Sequence, residues 1–141
     1  MGQRDPRVDG EGVGEPGVVG IGQHPAVVGP RRGDVHFVAF PDAGGHVLRG
    51  PHPAVVVQTD RMRASSTVVV VPMTSSPRSA ELLPPYLVAV GATESGLDRD
   101  GYAKCDQPAT LPAVVLGKRA GRLAPGAIAR LDAALRFVLE V

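Results

Sequence analysis

Tryptophan is absent from this 141-residue chain, aromatic residues make up 4% of it, and there is a single cysteine, Cys105. One cysteine excludes an intramolecular disulfide framework, and no Cys/His cluster has the spacing of a zinc site. The chain therefore reads as a cytosolic protein that needs neither metal nor cofactor. No stretch approaches the roughly 18 consecutive apolar residues of a membrane span. The N-terminus also lacks the basic start and continuous apolar run of a signal peptide, so no membrane association is expected. A formal net charge of +1 is too small to announce a nucleic-acid binder by composition alone.

What the chain does have is a hydrophobic content of 43%, enough for the core of one domain, and 18 glycines and 14 prolines that are unevenly spread. Eight of those glycines and four of the prolines fall in the first 30 residues. Such a segment cannot easily offset the entropy of ordering its backbone. Residues 1–30 are expected to be a disordered tail, or upstream sequence joined by a misassigned start, and residues 31–141 a single domain. Without the tail, 13 basic and 10 acidic residues remain. That small surplus suits a groove for a few phosphates as well as it suits an ordinary surface. The pentapeptide from His24 to Val28 recurs from His52 to Val56 with unmatched flanks, which reads as coincidence.

From Gly33 the pattern alternates and predicts a strand over 34–40, with Val35, Phe37 and Ala39 on one face and His36, Val38 and Phe40 on the other. A Gly- and Pro-rich loop is expected over 41–51. The apolar runs 54–58 and 67–73, the second containing four consecutive valines, predict the buried centre of a sheet. Further strands are expected over 86–90, 102–107 and 118–123, with a polar loop over 91–101 and a weak extended segment over 109–115. The period then changes. Ile128, Leu131, Leu135 and Val138 form the stripe of an amphipathic helix, Asp132 and Arg136 are spaced as an i,i+4 pair, and Pro125 suits a first helical turn after Ala124, a poor N-cap. The fold class is mainly β with a C-terminal helix, and strands this short suit a small barrel.

Several motifs occur in a characteristic order: Arg32-Gly33-Asp34, Pro53-Ala54-Val55-Val56, Val71-Pro72-Met73-Thr74-Ser75, Asp106-Gln107, Gly121-Arg122-Leu123, and the helical stretch from Leu131 to Leu135. In that order the chain from about residue 31 onward resembles the MazF/PemK toxin family. The resemblance implies an SH3-like small β-barrel (PemK/CcdB-like) and a type II toxin that cleaves single-stranded RNA without a metal or cofactor, leaving a 2′,3′-cyclic phosphate and a 5′-hydroxyl. It also implies a homodimer and a cognate antitoxin whose disordered C-terminal segment folds into the RNA groove.

In that family a threonine after the third strand and an arginine before Pro-Ala-Val-Val flank the scissile phosphate. Thr74 matches the threonine, and its hydroxyl could stabilise charge developing on the phosphate. Together with Ser75 and Ser76 it could equally cap a turn. His52 stands where the arginine would be. Imidazole, with an ordinary pKa of about 6.5, can take a proton from the 2′-OH and return one to the leaving oxygen, but it lacks arginine's permanent charge and fork. Arg49 could restore that cation, and His46 is a second acid-base candidate in the same loop. Ser75, Asp106 and Gln107 fall where the resemblance implies RNA contact, and an amide can read an unstacked base edge. Arg61, Arg63, Arg78, Lys118, Arg119 and Arg122 could line a backbone-tracking groove or be surface charges. Stacking platforms are few: Phe37, Phe40, Tyr86, Tyr102 and Phe137.

Two other readings keep the barrel and drop the chemistry. One is a catalytically inactive relic, motivated by His52. The other is a gyrase poison resembling CcdB, although the tryptophan and glycine expected near the helix end are missing from Leu139-Glu140-Val141.

Overall fold

The computed structural model describes residues 29–75 and 83–141. The expected tail lies outside the described residues except for Gly29 and Pro30, and so does Arg78. Among these residues seven strands follow one another: β1 (Asp34–Phe40), β2 (Gly50–Val56), β3 (Thr67–Thr74), β4 (Leu87–Val90), β5 (Gly101–Lys104), β6 (Ala109–Pro112) and β7 (Arg119–Arg122). A one-turn helix α1 (Ala92–Ser95) separates β4 from β5, and the long helix α2 (Pro125–Leu139) closes the chain. Short 3-10 turns occupy Asp60–Met62 and Ala113–Val115. Every strand pair is antiparallel.

The sheet runs in the order β4-β5-β3-β2-β1-β7, with β6 added to β3, and it does not close. Its barrel-like character comes from β3, which changes partner along its length. Val70 and the residues before it pair with β6, whereas Met73 and Thr74 pair with Ala103 and Tyr102 of β5. Pro72 lies between these two sets, so the N–H that proline lacks is missing where the ladder changes hands.

Two apolar clusters flank the central strands. Val35, Val55, Val71 and Met73 pack with Ala127, Leu131 and Ala134 of α2. Their sequence neighbours Val38, Ala54, Val56, Val68 and Val70 pack on the opposite side with Leu48, Leu111 and Leu116. Both faces being buried explains why β2 and β3 read as continuous apolar runs and not as alternation. The face of β1 expected to hold Val35, Phe37 and Ala39 is covered only at Val35; Phe37 and Ala39 are exposed. No helix among the described residues is long and apolar enough to cross a membrane.

Four local expectations change. Strand β2 begins at Gly50, not at 54, and includes Pro51 and Pro53. It can do so because residues 50–53 pair with β1 alone and β3 joins only from Ala54, which leaves an open edge that tolerates the missing N–H groups. The polar loop 91–101 contains α1, where Glu94 accepts the Gly91 N–H and receives two hydrogen bonds from Arg130 at 2.8 and 3.0 Å. Asp132 pairs with Arg32 across the fold, not with Arg136 along the helix. The helix buries Ala127, Leu131 and Ala134, with Ile128 and Leu135 at the margin, so its inner stripe is rotated from the expected one.

Gly33 joins strand and helix. Its φ of +94° is left-handed, and a Cβ there would meet Ile128 Cδ1 at 2.8 Å. Its N–H donates to Val56 and its carbonyl accepts from Leu123. The left-handed φ is what favours glycine here, and the small residue also leaves room for the Ile128 methyl.

Candidate active site

Antiparallel pairing brings the start of β2 and the end of β3 to the same end of the sheet, and β5 brings the 97–101 loop there as well. The result is a cleft of about 360 Å³ that includes Pro51, His52, Pro53, Thr74, Ser75 and the segment from Leu97 to Gly101. Three expected site residues, His52, Thr74 and Ser75, thus share one concavity. Thr74 is the last residue of β3 and pairs with Tyr102, so its backbone is fixed by the sheet while its side chain is half-exposed.

His52 is half-buried opposite Val38. Its Nε2 lies 3.0 Å from the carbonyl oxygen of Arg49. A carbonyl can only accept, so Nε2 carries the hydrogen and the lone pair of the neutral ring is on Nδ1. The Arg49 side chain is 62% exposed and has its guanidinium 3.9 Å from Asp42. Arg49 therefore acts on His52 through its backbone, while its charge faces solvent.

Asp106 and Gln107 do not join this cleft. They line a separate one of about 280 Å³ beside Phe40, Leu48 and Pro72. The Gln107 amide is occupied with the 41–49 loop: Oε1 accepts the Leu48 N–H at 2.9 Å and Nε2 donates to the His46 carbonyl at 3.2 Å. Leu48 precedes the residue whose carbonyl holds His52. Gln107 thus clamps the loop that orients the histidine, a link invisible in a sequence where these residues are far apart.

The basic candidates disperse. Arg61 is exposed in the turn joining β2 to β3, at the other end of β2 from His52. Arg122 and Arg119 converge on Oδ1 of buried Asp34 at 2.8 and 3.4 Å, and Arg31 donates its N–H to Oδ2. The Arg63 guanidinium donates to the Gly29 carbonyl. Arg31, Arg63, Arg119 and Arg122 line a third cleft of about 220 Å³ with Asp34. Lys118 contributes its carbonyl to the Phe37 N–H. The structure does not bring Arg61 or Arg122 to His52 and Thr74.

Phe37, named from the sequence only as a possible stacking platform, and Arg99, not named there at all, also line the cleft. Phe37 is 49% exposed there and offers an aromatic face. Arg99 comes in from the loop before β5. The signal for Phe37 was its place in the alternation of β1; nothing local in the sequence marks Arg99. Among the described residues no group of His, Cys, Asp and Glu is arranged to hold a metal ion. Cys105 is buried in the helix-side core, and burial first, then the charge of Asp106, pushes its thiol up to about 12. It is inert as a nucleophile at neutral pH.

A bent antiparallel sheet under one C-terminal helix, with a cleft where two central strands end, defines a small barrel-like domain. A MazF structure from Deinococcus radiodurans shares that fold, with a TM-score of 0.66, 18% identity, and coverage of 79% of this chain and 97% of that one. The chain belongs to the family of PemK-like, MazF-like toxins of type II toxin-antitoxin systems, whose model matches residues 31–139. It is 36% identical over 111 residues to a probable endoribonuclease MazF of Mycolicibacterium smegmatis, covering 79% of this chain and 97% of that protein. It is 32% identical over 117 residues to endoribonuclease MazF9 of Mycobacterium tuberculosis, with the same two coverages. A mycobacterial endoribonuclease solved in complex with its cognate antitoxin superposes with a TM-score of 0.63 at 28% identity, over 79% of this chain and 96% of that one.

Proposed function

We propose that this protein is the toxin of a type II toxin-antitoxin pair and a sequence-selective endoribonuclease acting on single-stranded RNA, with His52 and Thr74 at its reacting centre. The observation that carries the site is their placement in one cleft, with the His52 Nε2 hydrogen held by the Arg49 carbonyl. Nδ1 is then the basic nitrogen. It takes the proton of the RNA 2′-OH as that oxygen attacks the adjacent phosphorus, and the imidazolium returns a proton to the 5′-oxygen as the P–O5′ bond breaks. The products are a 2′,3′-cyclic phosphate and a 5′-hydroxyl. The Thr74 hydroxyl donates to a non-bridging oxygen, where charge grows in the transition state.

Ser75 extends the polar rim beside Thr74, and Phe37 supplies a face on which a flanking base can stack. Gln107 keeps the 41–49 loop in register, with Asp106 beside it on the rim of the second cleft. The working unit is a homodimer, and an antitoxin holds it in check, a partner supported by the relative solved with its cognate antitoxin. Acting on cellular mRNA, it works in the cytoplasm.

The test is incubation of the purified protein with a long single-stranded RNA in EDTA, mapping new 5′ ends for wild type, Thr74→Ala and His52→Ala. Discrete cuts by wild type that fade in both variants are expected. RNA binding without cuts by all three proteins would favour the inactive relic instead.

A further inference from the structure

An anionic substrate meets an unusual cleft here. The charged groups among its described lining residues are Asp98, Arg99 and Asp100, all on one loop. His52 has no permanent charge, the Arg49 guanidinium faces solvent near Asp42, and Arg119 and Arg122 are tied to Asp34 elsewhere. Arg99 is therefore the one permanent cation among the described residues of the cleft, and among those residues it forms no ion pair.

Its neighbours are disposed to leave it available. Asp100 turns back toward α1, where its Oδ1 accepts the Ala92 N–H at 2.9 Å. The loop that carries Arg99 is anchored at both ends. At one end α1 lies so close to β7 that a Cβ on Gly121 would stand 2.1 Å from the Ser95 carbonyl oxygen. At the other, Gly101 leads into Tyr102, which pairs with Thr74. The anchoring that fixes the threonine thus also limits where Arg99 can reach.

We propose that Arg99 is the phosphate-binding cation of this cleft, supplying from the loop before β5 the charge that His52 does not carry. The inference rests on the endoribonuclease reading given above. It divides between two residues what one arginine would otherwise combine: proton transfer at His52 and charge at Arg99. The guanidinium fork can meet two non-bridging oxygens of one phosphate, and a lysine can supply the charge but not the fork.

The experiment compares wild type with Arg99→Ala, Arg99→Lys, Asp98→Asn, Arg78→Ala and Arg136→Ala. Arg78→Ala removes a rival cation three residues beyond Ser75, and Arg136→Ala is a charge-matched change on α2. Two readouts are taken on each protein: kcat and KM on a cleavable single-stranded RNA, and binding of the same RNA with 2′-O-methyl groups as a function of salt. Arg99→Ala is expected to lower kcat/KM by roughly 10- to 100-fold and to flatten the log–log salt slope by about 0.7, the value for one phosphate contact on a single strand. Arg99→Lys should restore the slope and only part of kcat/KM. Asp98→Asn should act in the opposite direction and tighten binding.

A wild-type slope in Arg99→Ala, an equal loss in Arg136→Ala, or a loss confined to Arg78→Ala would each overturn the proposal. If wild type binds the methylated RNA but cuts nothing, the nuclease reading fails. The salt slope still decides whether Arg99 holds a phosphate.

Discussion

Two polar clefts in this small protein use arginine in opposite ways. Around Asp34, a carboxylate with a 7% exposed side chain collects Arg122, Arg119 and the Arg31 N–H, so that two of the cleft's guanidiniums are engaged by a carboxylate of the fold. Around His52 and Thr74, Asp98 and Arg99 form no ion pair among the described residues, and the histidine's bond to a backbone carbonyl leaves its basic nitrogen for a ligand. The first arrangement joins β1 to β7. The second prepares a surface to receive something. A buried pair is costly to break and says little about chemistry, whereas unpaired charge beside a preset imidazole is an expectation of substrate.

The sharpest way to break the contrast is at the reacting centre. His52→Ala and Thr74→Ala should each lower kcat on RNA by about 100- to 1000-fold, with melting temperatures close to wild type. Loss of the fold in either variant would mean that these side chains are structural.

Asp34→Asn should do the reverse. Removing the charge that two arginines share is expected to cost about 2 kcal/mol of stability, less than a fully buried pair because the arginines are 42% and 55% exposed on their side chains. Chemical denaturation would measure it, and kcat at a temperature where the variant is folded should be unchanged. A selective fall in kcat would join the two clefts functionally.

Cys105 gives a smaller, pH-dependent effect. Its folded pKa is raised from 9.0 to about 12, so the folded state holds a proton that the unfolded chain releases between those values. Stability therefore falls as pH rises through that window, by about 1.4 kcal/mol per unit at most from this group. The pH dependence of denaturation should be shallower in Cys105→Ala than in wild type above pH 9 and parallel to it below.

The least effect is expected from Gln107→Ala, which frees the 41–49 loop without touching the reacting atoms. kcat should drop about 3- to 10-fold, within what one lost pair of neutral hydrogen bonds can change. An unchanged kcat with a raised KM would return Gln107 to direct RNA contact.

Much of this architecture was legible in the chain. Strand β1 has the expected bounds and β3 runs one residue further, because long valine-rich runs admit few alternatives. The start of β2 was hidden because its prolines are tolerable only on an open edge, and which edges are open is a property of the whole sheet. His52 and Thr74 were legible through their motifs. Arg99 and the Gln107 clamp were not, because each depends on pairing between distant segments: β5 against β3 in one case, the β1–β2 loop against the residues after β5 in the other. The partner of Asp132 was misjudged for the same reason, since Arg32 reaches it from far along the chain.

The change of partner along β3 has one more consequence. Beyond Pro72, two residue pairs among the described residues, Met73 with Ala103 and Thr74 with Tyr102, join the cleft's strand to β5. The 97–101 loop is attached to the short β4–β5 hairpin, whereas Val55 and Val71 lie in the interior of the central ladder. Yet Val88, Val90 and Ala103 of that hairpin belong to the same buried cluster as Val55 and Val71, so solvent exchange at the amides of Ala103 and Tyr102 should require an opening that also loosens the helix-side core. The cleft is thus held in shape by apolar packing beneath it more than by its own ladder.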